Sequence, residues 1–142
     1  MTTEYLSALQ DLARRYGLND LYVFGSRAKE IAARVKGHKP DFSVPESDVD
    51  MAVQQPPGSR LTAREKVEIT QALEDLFQVR RVDLVVLSEA GPFLALDIIK
   101  GELLYSEDLD RQAEEELYIL RRAGDLAPYE RERRRMILEG EG

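Results

Sequence analysis

The chain has 142 residues, a length that normally buries a single hydrophobic core. Its 27 acidic and 20 basic residues give a formal net charge of −7, which argues against a broad nucleic-acid surface, because such a surface needs clustered Lys and Arg. The absence of cysteine excludes disulfides, thiolate metal sites and thiol nucleophiles, and it favours a cytoplasmic location.

Helix-like and strand-like patterns alternate along the chain. A helix is predicted where apolar residues recur every three or four positions, and a strand where a short run of large or β-branched residues ends at turn residues. In chain order these rules predict a helix at 5–16, a strand at 21–24, a helix at 28–35, a loop at 38–47, a strand at 49–53, a helix capped at Thr62 and ending at 77, a strand at 82–87, a helix at 91–99, an edge strand at 103–105 and a helix from 109 onward. This alternation favours one layered α/β domain.

The C-terminal part is predicted to hold two helices. Ser106 is the expected cap of the first helix, and Gly124 and Pro128 are expected to break or bend it, because proline lacks the amide that the helix needs. The second helix is predicted at 129–138. Basic and acidic residues are equally frequent in and around it, so it is poor evidence for RNA binding. No stretch reaches the roughly 18 apolar residues of a membrane span, so neither a membrane nor a nucleic acid is an expected partner.

Acidic residues interrupt two of the predicted strands. Asp48 and Asp50 are two positions apart at the start of one strand, so their side chains point to the same face. Two carboxylates placed in this way repel each other, and Mg²⁺, which prefers oxygen ligands, is one way to compensate them. Asp83 adds a third carboxylate if its strand is a neighbour, an arrangement compatible with a two-metal site. Taken singly, each acid also fits a solvated strand edge.

Gly25 and Ser26 follow the first strand, at the predicted turn into a helix. Glycine lets the backbone approach an anion closely, and Ser26 with the first helical amides can donate hydrogen bonds to phosphate oxygens. Arg27 lies in the first turn of that helix, where it reaches either a phosphate or a surface ion pair. His38 has no second histidine with which to share a metal, so it is not an expected ligand.

Together these motifs resemble a known family. Its motifs are matched here by Phe24-Gly25-Ser26-Arg27-Ala28, Ser47-Asp48-Val49-Asp50-Met51-Ala52-Val53 and Val82-Asp83-Leu84-Val85. The chain is similar to the minimal nucleotidyltransferases (MNT) of the DNA polymerase beta-like superfamily, the antitoxins of HEPN/MNT toxin-antitoxin modules. The resemblance implies an α/β (α+β) fold: a core of a short mixed sheet flanked by helices over residues 1–106, and a C-terminal helical extension of the same domain over 107–142.

The resemblance also implies an activity. Members transfer a nucleoside monophosphate from a nucleoside triphosphate and release pyrophosphate. For this chain the implied reaction is the Mg²⁺-dependent transfer of AMP from ATP, with two metal ions, to a tyrosine hydroxyl of a cognate HEPN ribonuclease toxin. A hetero-oligomer with the toxin is expected, and the helices of 109–138 are candidates for docking the toxin or for forming a homodimer. A non-catalytic antitoxin and a nucleotidyltransferase for a small-molecule acceptor stay open as alternatives.

The family motifs carry roles over to individual residues. Asp48, Asp50 and Asp83 match the catalytic metal ligands, and Gly25 with Ser26 matches the phosphate-contacting pair, beside which Arg27 is a further candidate for ATP binding. The interval between the two motifs, residues 27–47, is longer than is usual in the family. Its five basic and three acidic residues give it a charge of +2, against −9 for the rest of the chain. We interpret it as an extension beside the site.

Overall fold

The computed structural model describes residues 2–37 and 48–140, with side chains over 4–37 and 48–126. The elements in these ranges are α1 (Thr2–Tyr16), β1 (Asp20–Phe24), α2 (Ala28–Val35), β2 (Val49–Gln54), α3 (Ala63–Phe77), β3 (Val82–Val86), α4 (Pro92–Ile99), β4 (Glu102–Ser106) and α5 (Leu109–Gly140). A 3-10 turn at Leu87–Glu89 joins β3 to α4. The helices and strands predicted up to residue 109 are present, with ends that differ by at most three residues. The predicted loop at 38–47, with His38, lies outside the described residues.

The four strands form one mixed sheet in the order β3-β2-β1-β4. β1 is antiparallel to both β2 and β4, whereas β2 is parallel to β3. Asp50 of β2 is paired with Asp83 of β3 on one side and with Phe24 of β1 on the other. One end of the sheet therefore carries the last residue of β1 together with the first residues of β2 and β3.

Helices cover both faces of this sheet. On one face the strands pack against α1, α2 and α3 through Leu9, Ile31 and Leu73, which are fully buried. On the other face they pack against α4 and α5 through Ile98 and Ile119. Successive strand residues point to opposite faces, so each strand contributes to both cores. The arrangement confirms the predicted α/β class, with a short mixed sheet flanked by helices.

The last helix differs from its prediction in two ways. α5 continues from Leu109 to Gly140 without a break: a proline at 128 removes one backbone hydrogen bond, to the carbonyl of Gly124, and the helix keeps its bonds on both sides. Its cap is Asp108 and not Ser106, because Asp108 Oδ1 accepts hydrogen bonds from the amides two and three residues on, at 3.1 and 3.2 Å. Neither α5 nor any other helix of the described residues has an apolar stretch long enough to cross a lipid bilayer.

Polar side chains attach α5 to the sheet. Asp20, fully buried at the start of β1, accepts hydrogen bonds from Arg111 Nη2 at 2.8 Å on both oxygens and from Ser106 Oγ at 2.7 Å. One helical turn further on, Glu115 accepts a hydrogen bond from Gln54 Nε2 at 2.8 Å. Because a buried carboxylate is costly unless it is paired, the Asp20–Arg111 pair ties the first turn of α5 to β1.

Candidate active site

The turn between β1 and α2 brings the backbone against a predicted metal ligand. Gly25 has φ +79°, in the left-handed region that glycine adopts at little cost. A Cβ atom at this position would lie 2.6 Å from Asp50 Oδ2. The Gly25 carbonyl accepts a hydrogen bond from the Ala28 amide at 3.2 Å, which closes the turn, and Ser26 is exposed at its outer side. The turn therefore favours glycine for its backbone angle, and the absence of a side chain leaves room for the Asp50 carboxylate.

The three predicted carboxylates lie at the same end of the sheet. β2 and β3 are direct neighbours, and Asp50 is paired with Asp83 in the register of the two strands. Burial, together with the charges of Asp83 and Asp48, raises the pKa of Asp50 above its usual value. The three acids are thus close enough to repel one another. Among the side chains described, at 4–37 and 48–126, no three acidic or histidine side chains are gathered as ligands around one point.

An arginine lies against two of these carboxylates. Arg81 Nε is 3.3 Å from Asp83 Oδ1 and 3.8 Å from Asp48 Oδ2. Arg81 directly precedes β3, and its carbonyl accepts a hydrogen bond from the Val49 amide at 3.0 Å. The sequence pattern did not single out this residue, because only the pairing of β2 with β3 shows that it lies beside both acids.

A cleft of about 660 Å³ opens beside Gly25, Ser26 and Asp50. The end of α4 and the start of β4 form its other wall, to which Lys29 from α2 and Lys100 from the α4–β4 turn add positive charge. Neither lysine forms an ion pair within the described part of the chain. No local motif marks either lysine, and the sequence pattern missed both.

The close approach of two chain segments places Lys100 in the cleft. A Cβ atom at Gly101 would overlap the carbonyl oxygen of Val23 and the backbone of Phe24. Because Gly101 has no side chain, the turn after α4 lies directly on the end of β1. Lys100 therefore lies beside the Gly25 turn, although it is distant in sequence.

Arg27 is buried and paired with an acidic residue of α2. Its side chain is only 6% exposed, and its Nη2 and Nε atoms lie 2.6 and 3.2 Å from the carboxylate oxygens of Glu30. Glu30 also accepts a hydrogen bond from Arg34 Nη2 at 2.9 Å. The structure therefore shows the ion pair that the sequence gave as one alternative for Arg27, and Lys29 and Lys100 line the cleft.

A second cavity lies at the opposite end of β2 and β3. It has a volume of about 240 Å³ and lies between Gln54, Leu87 and Ile119, with walls that are mostly apolar. It contains neither the glycine turn nor the paired aspartates. We therefore place the candidate active site in the larger cleft.

Comparisons with known proteins agree with this fold. The family model described as polymerase beta, nucleotidyltransferase matches residues 8–110, which is more than half of the chain. A comparison with curated proteins finds no match.

Solved structures extend the similarity to α5. A toxin-antitoxin structure with AMP-PNP is 21% identical with a TM-score of 0.63, over 96% of this chain and 98% of that one. The structure of a tri-AMPylated HEPN toxin in complex with MNT antitoxin, from Shewanella oneidensis, contains a chain that is 21% identical to this one. The two chains match over their full lengths with a TM-score of 0.61. A putative minimal nucleotidyltransferase is 26% identical with a TM-score of 0.50, over 70% of this chain and 88% of that one. These likenesses show a common fold.

Proposed function

The chain belongs to the polymerase beta nucleotidyltransferase family, and from this premise we propose that it is an antitoxin that transfers AMP from ATP to a tyrosine hydroxyl of a cognate HEPN toxin. Two relatives support an ATP donor and a toxin acceptor: the toxin-antitoxin structure with AMP-PNP and the MNT antitoxin with its tri-AMPylated HEPN toxin. Both match this chain over almost its whole length. Modification of the toxin would then neutralise its ribonuclease activity.

One observation carries the proposal. The Gly25 turn lies against Asp50, Asp50 is paired with Asp83, and the turn and Asp50 line the same cleft. Nucleotidyl transfer needs such a combination, because the triphosphate must be held in line with its attacker while its negative charge is compensated. The turn alone would hold the triphosphate without compensating its charge, and the acids alone would bind a metal ion without holding the triphosphate.

Mg²⁺ is the metal that these residues suit. Asp48, Asp50 and Asp83 offer only carboxylate oxygens, the hard ligands that Mg²⁺ prefers, and burial together with the charges of Asp83 and Asp48 raises the pKa of Asp50. We propose that these three aspartates hold it. When bound, Mg²⁺ would neutralise the charge of the triphosphate and of the departing pyrophosphate.

The remaining steps use the chain's own residues. Gly25 admits a phosphate close to the backbone, Ser26 donates its hydroxyl to a phosphate oxygen, and Lys29 and Lys100 offset the negative charge of the triphosphate. Asp83 is partly exposed at the start of β3. It accepts the proton of the tyrosine hydroxyl while the tyrosine oxygen attacks the α-phosphorus. A bond from tyrosine oxygen to phosphorus forms, and the bond to the pyrophosphate oxygen breaks.

The acceptor is proposed to arrive on the toxin, because the family match ends at residue 110 and most of α5 lies beyond it. In that reading residues 1–106 form the catalytic core, and 107–142 form an extension of the same domain. The extension exposes three leucines of α5: Leu109, Leu117 and Leu120 are 65%, 58% and 48% exposed. Exposed apolar side chains on one helix mark a docking surface, and we assign this one to the toxin, with self-association as the alternative.

The ratio of antitoxin to toxin separates catalysis from simple blocking. A catalyst silences many toxin molecules per antitoxin and requires ATP and Mg²⁺, whereas a blocking protein needs one copy per toxin. We expect a small fraction of an equivalent to abolish the toxin's ribonuclease activity when Mg²⁺ and ATP are both present, and to leave it intact when either is omitted.

Two variants complete this test. Asp50→Asn should be inactive, whereas Asp75→Asn, which changes an exposed aspartate of α3, should act like the unmodified chain. Inhibition that requires equimolar protein and ignores ATP would instead establish the blocking antitoxin. Nucleotide transfer to a small molecule, with the toxin unmodified, would establish the third alternative.

A further inference from the structure

We infer that Arg81 is the resident counter-ion of the acidic site and competes with a divalent metal ion for Asp48 and Asp83, so that this arginine sets the metal affinity of the chain. The inference rests on the proposed function in one respect, namely that these aspartates are metal ligands. It adds a residue that neither the family motifs nor the carboxylates themselves identify.

The position of the guanidinium supports a competing role. Arg81 Nε lies 3.3 Å from Asp83 Oδ1 and 3.8 Å from Asp48 Oδ2, so one cation spans the two carboxylates. A metal ion bound by the same oxygens would have to replace these contacts.

Exposure makes this contact easy to replace. The side chain of Arg81 is 67% exposed, and those of Asp48 and Asp83 are 43% and 42% exposed. Ion pairs that are this accessible contribute little to stability. The backbone of Arg81 is fixed by the hydrogen bond from the Val49 amide to its carbonyl, so the side chain can leave while β2 and β3 keep their pairing.

The charges favour a divalent ion as the replacement. The three carboxylates together carry a charge of −3, of which the guanidinium compensates one unit, whereas a divalent cation in its place compensates two. Arg81 spans only the two outer acids, and Asp50 has no ion pair within the described residues. A metal ion contacting all three would therefore compensate more charge than the arginine does.

Two opposite effects follow from replacing Arg81 with a neutral residue of similar size. Without metal, Arg81→Gln should lower the melting temperature only slightly, because the outer carboxylates lose their counter-ion but such exposed ion pairs contribute little to stability. With metal, the same variant should bind more tightly, because no guanidinium competes. An arginine with a merely structural role at the surface would not produce the second effect.

The experiment is a calorimetric titration of the nucleotide-free full chain with Mn²⁺, a stand-in for Mg²⁺. We expect Arg81→Gln to lower the Kd for Mn²⁺ about tenfold, the effect of one unit charge beside a divalent ion in an exposed site. Arg80→Gln is the matched control, because Arg80 is the adjacent exposed arginine and forms no ion pair within the described residues. High salt should reduce the difference, since it screens exposed charges.

The outcomes distinguish this inference from the proposed function. If Arg81→Gln binds Mn²⁺ no more tightly than the unmodified chain, while Asp50→Asn binds it more weakly, the competition is refuted and the metal site stands. If the unmodified chain does not bind Mn²⁺, or if Asp50→Asn binds it equally well, the metal site is refuted. The inferred competition is then refuted as well. Equal tightening in Arg80→Gln and Arg81→Gln would also refute the inference, because the effect would then be one of general surface charge.

Discussion

Gly25→Ala separates the two reasons for a glycine at the β1–α2 turn. At φ +79° an alanine is strained whatever its surroundings, and its Cβ atom would lie 2.6 Å from Asp50 Oδ2, well inside van der Waals contact. Gly58 offers a matched control: its φ is +84°, and a Cβ atom there would meet nothing within 4 Å. Gly58→Ala therefore introduces the backbone strain without the clash.

The two variants should lose similar stability and very different activity. Left-handed backbone costs an L-residue about 1–2 kcal/mol, so each should lower the free energy of unfolding by that amount. The clash at Gly25 adds little to this loss, because the Asp50 carboxylate is the end of a partly exposed side chain and can rotate away. That rotation moves a proposed metal ligand by about 1 Å, a displacement that typically costs about a hundredfold in rate.

The assay pairs urea unfolding in the presence of a chelator with the rate of AMP transfer to the toxin. We expect both variants to unfold at lower urea concentrations, and only Gly25→Ala to lose about two orders of magnitude in transfer rate. A Gly25→Ala protein as active as Gly58→Ala would refute the argument that the turn positions Asp50. If Gly25→Ala and Gly58→Ala lose the same transfer activity, the loss comes from reduced stability and not from the position of Asp50.

Three further predictions concern other contacts. Asp20→Ala should reduce the free energy of unfolding in urea by about 3 kcal/mol, because it leaves Arg111 without its buried carboxylate; a loss below about 1 kcal/mol would contradict this role. Burial raises the pKa of Glu115 above 4.5 in the folded state, so the stability of the unmodified chain should fall as pH rises through that region. Glu115→Gln should flatten this fall, and an identical pH profile would refute the assignment. Lys100→Gln should raise the KM for ATP about tenfold in steady-state assays, whereas an unchanged KM would remove Lys100 from the phosphate site.

Local sequence signals predicted the parts of the fold that depend on neighbouring residues. The capping box at the start of α3 is one example: Thr62 Oγ1 accepts a hydrogen bond from the Glu65 amide at 3.1 Å, and the Glu65 carboxylate accepts one from the Thr62 amide at 2.9 Å. The glycine at the β1–α2 turn is another, because the turn itself gives this position a φ of +79°. Such features lie within a few residues of their cause.

Features that depend on the pairing of distant segments could not be predicted in this way. The sequence left open whether the strand of Asp83 is next to that of Asp50, because short strands of similar composition fit several sheet orders. For the same reason Arg81 and Lys100 were missed, since the first is brought to the acids by β2–β3 pairing and the second to the cleft by the contact of Gly101 with β1. For Arg27 the sequence left a phosphate contact and an ion pair open, and Glu30, one turn away, forms the ion pair in the structure.

Transfer of label from ATP labelled at the α-phosphate to the purified HEPN partner tests the central proposal most directly. With Mg²⁺ present, we predict label on a tyrosine of the partner after incubation with the unmodified chain or Asp75→Asn, and none after incubation with Asp50→Asn. Peptide mapping of the labelled partner identifies the modified residue. A partner that stays unlabelled, or one that Asp50→Asn labels equally well, would contradict the proposal that this acidic cleft catalyses nucleotide transfer.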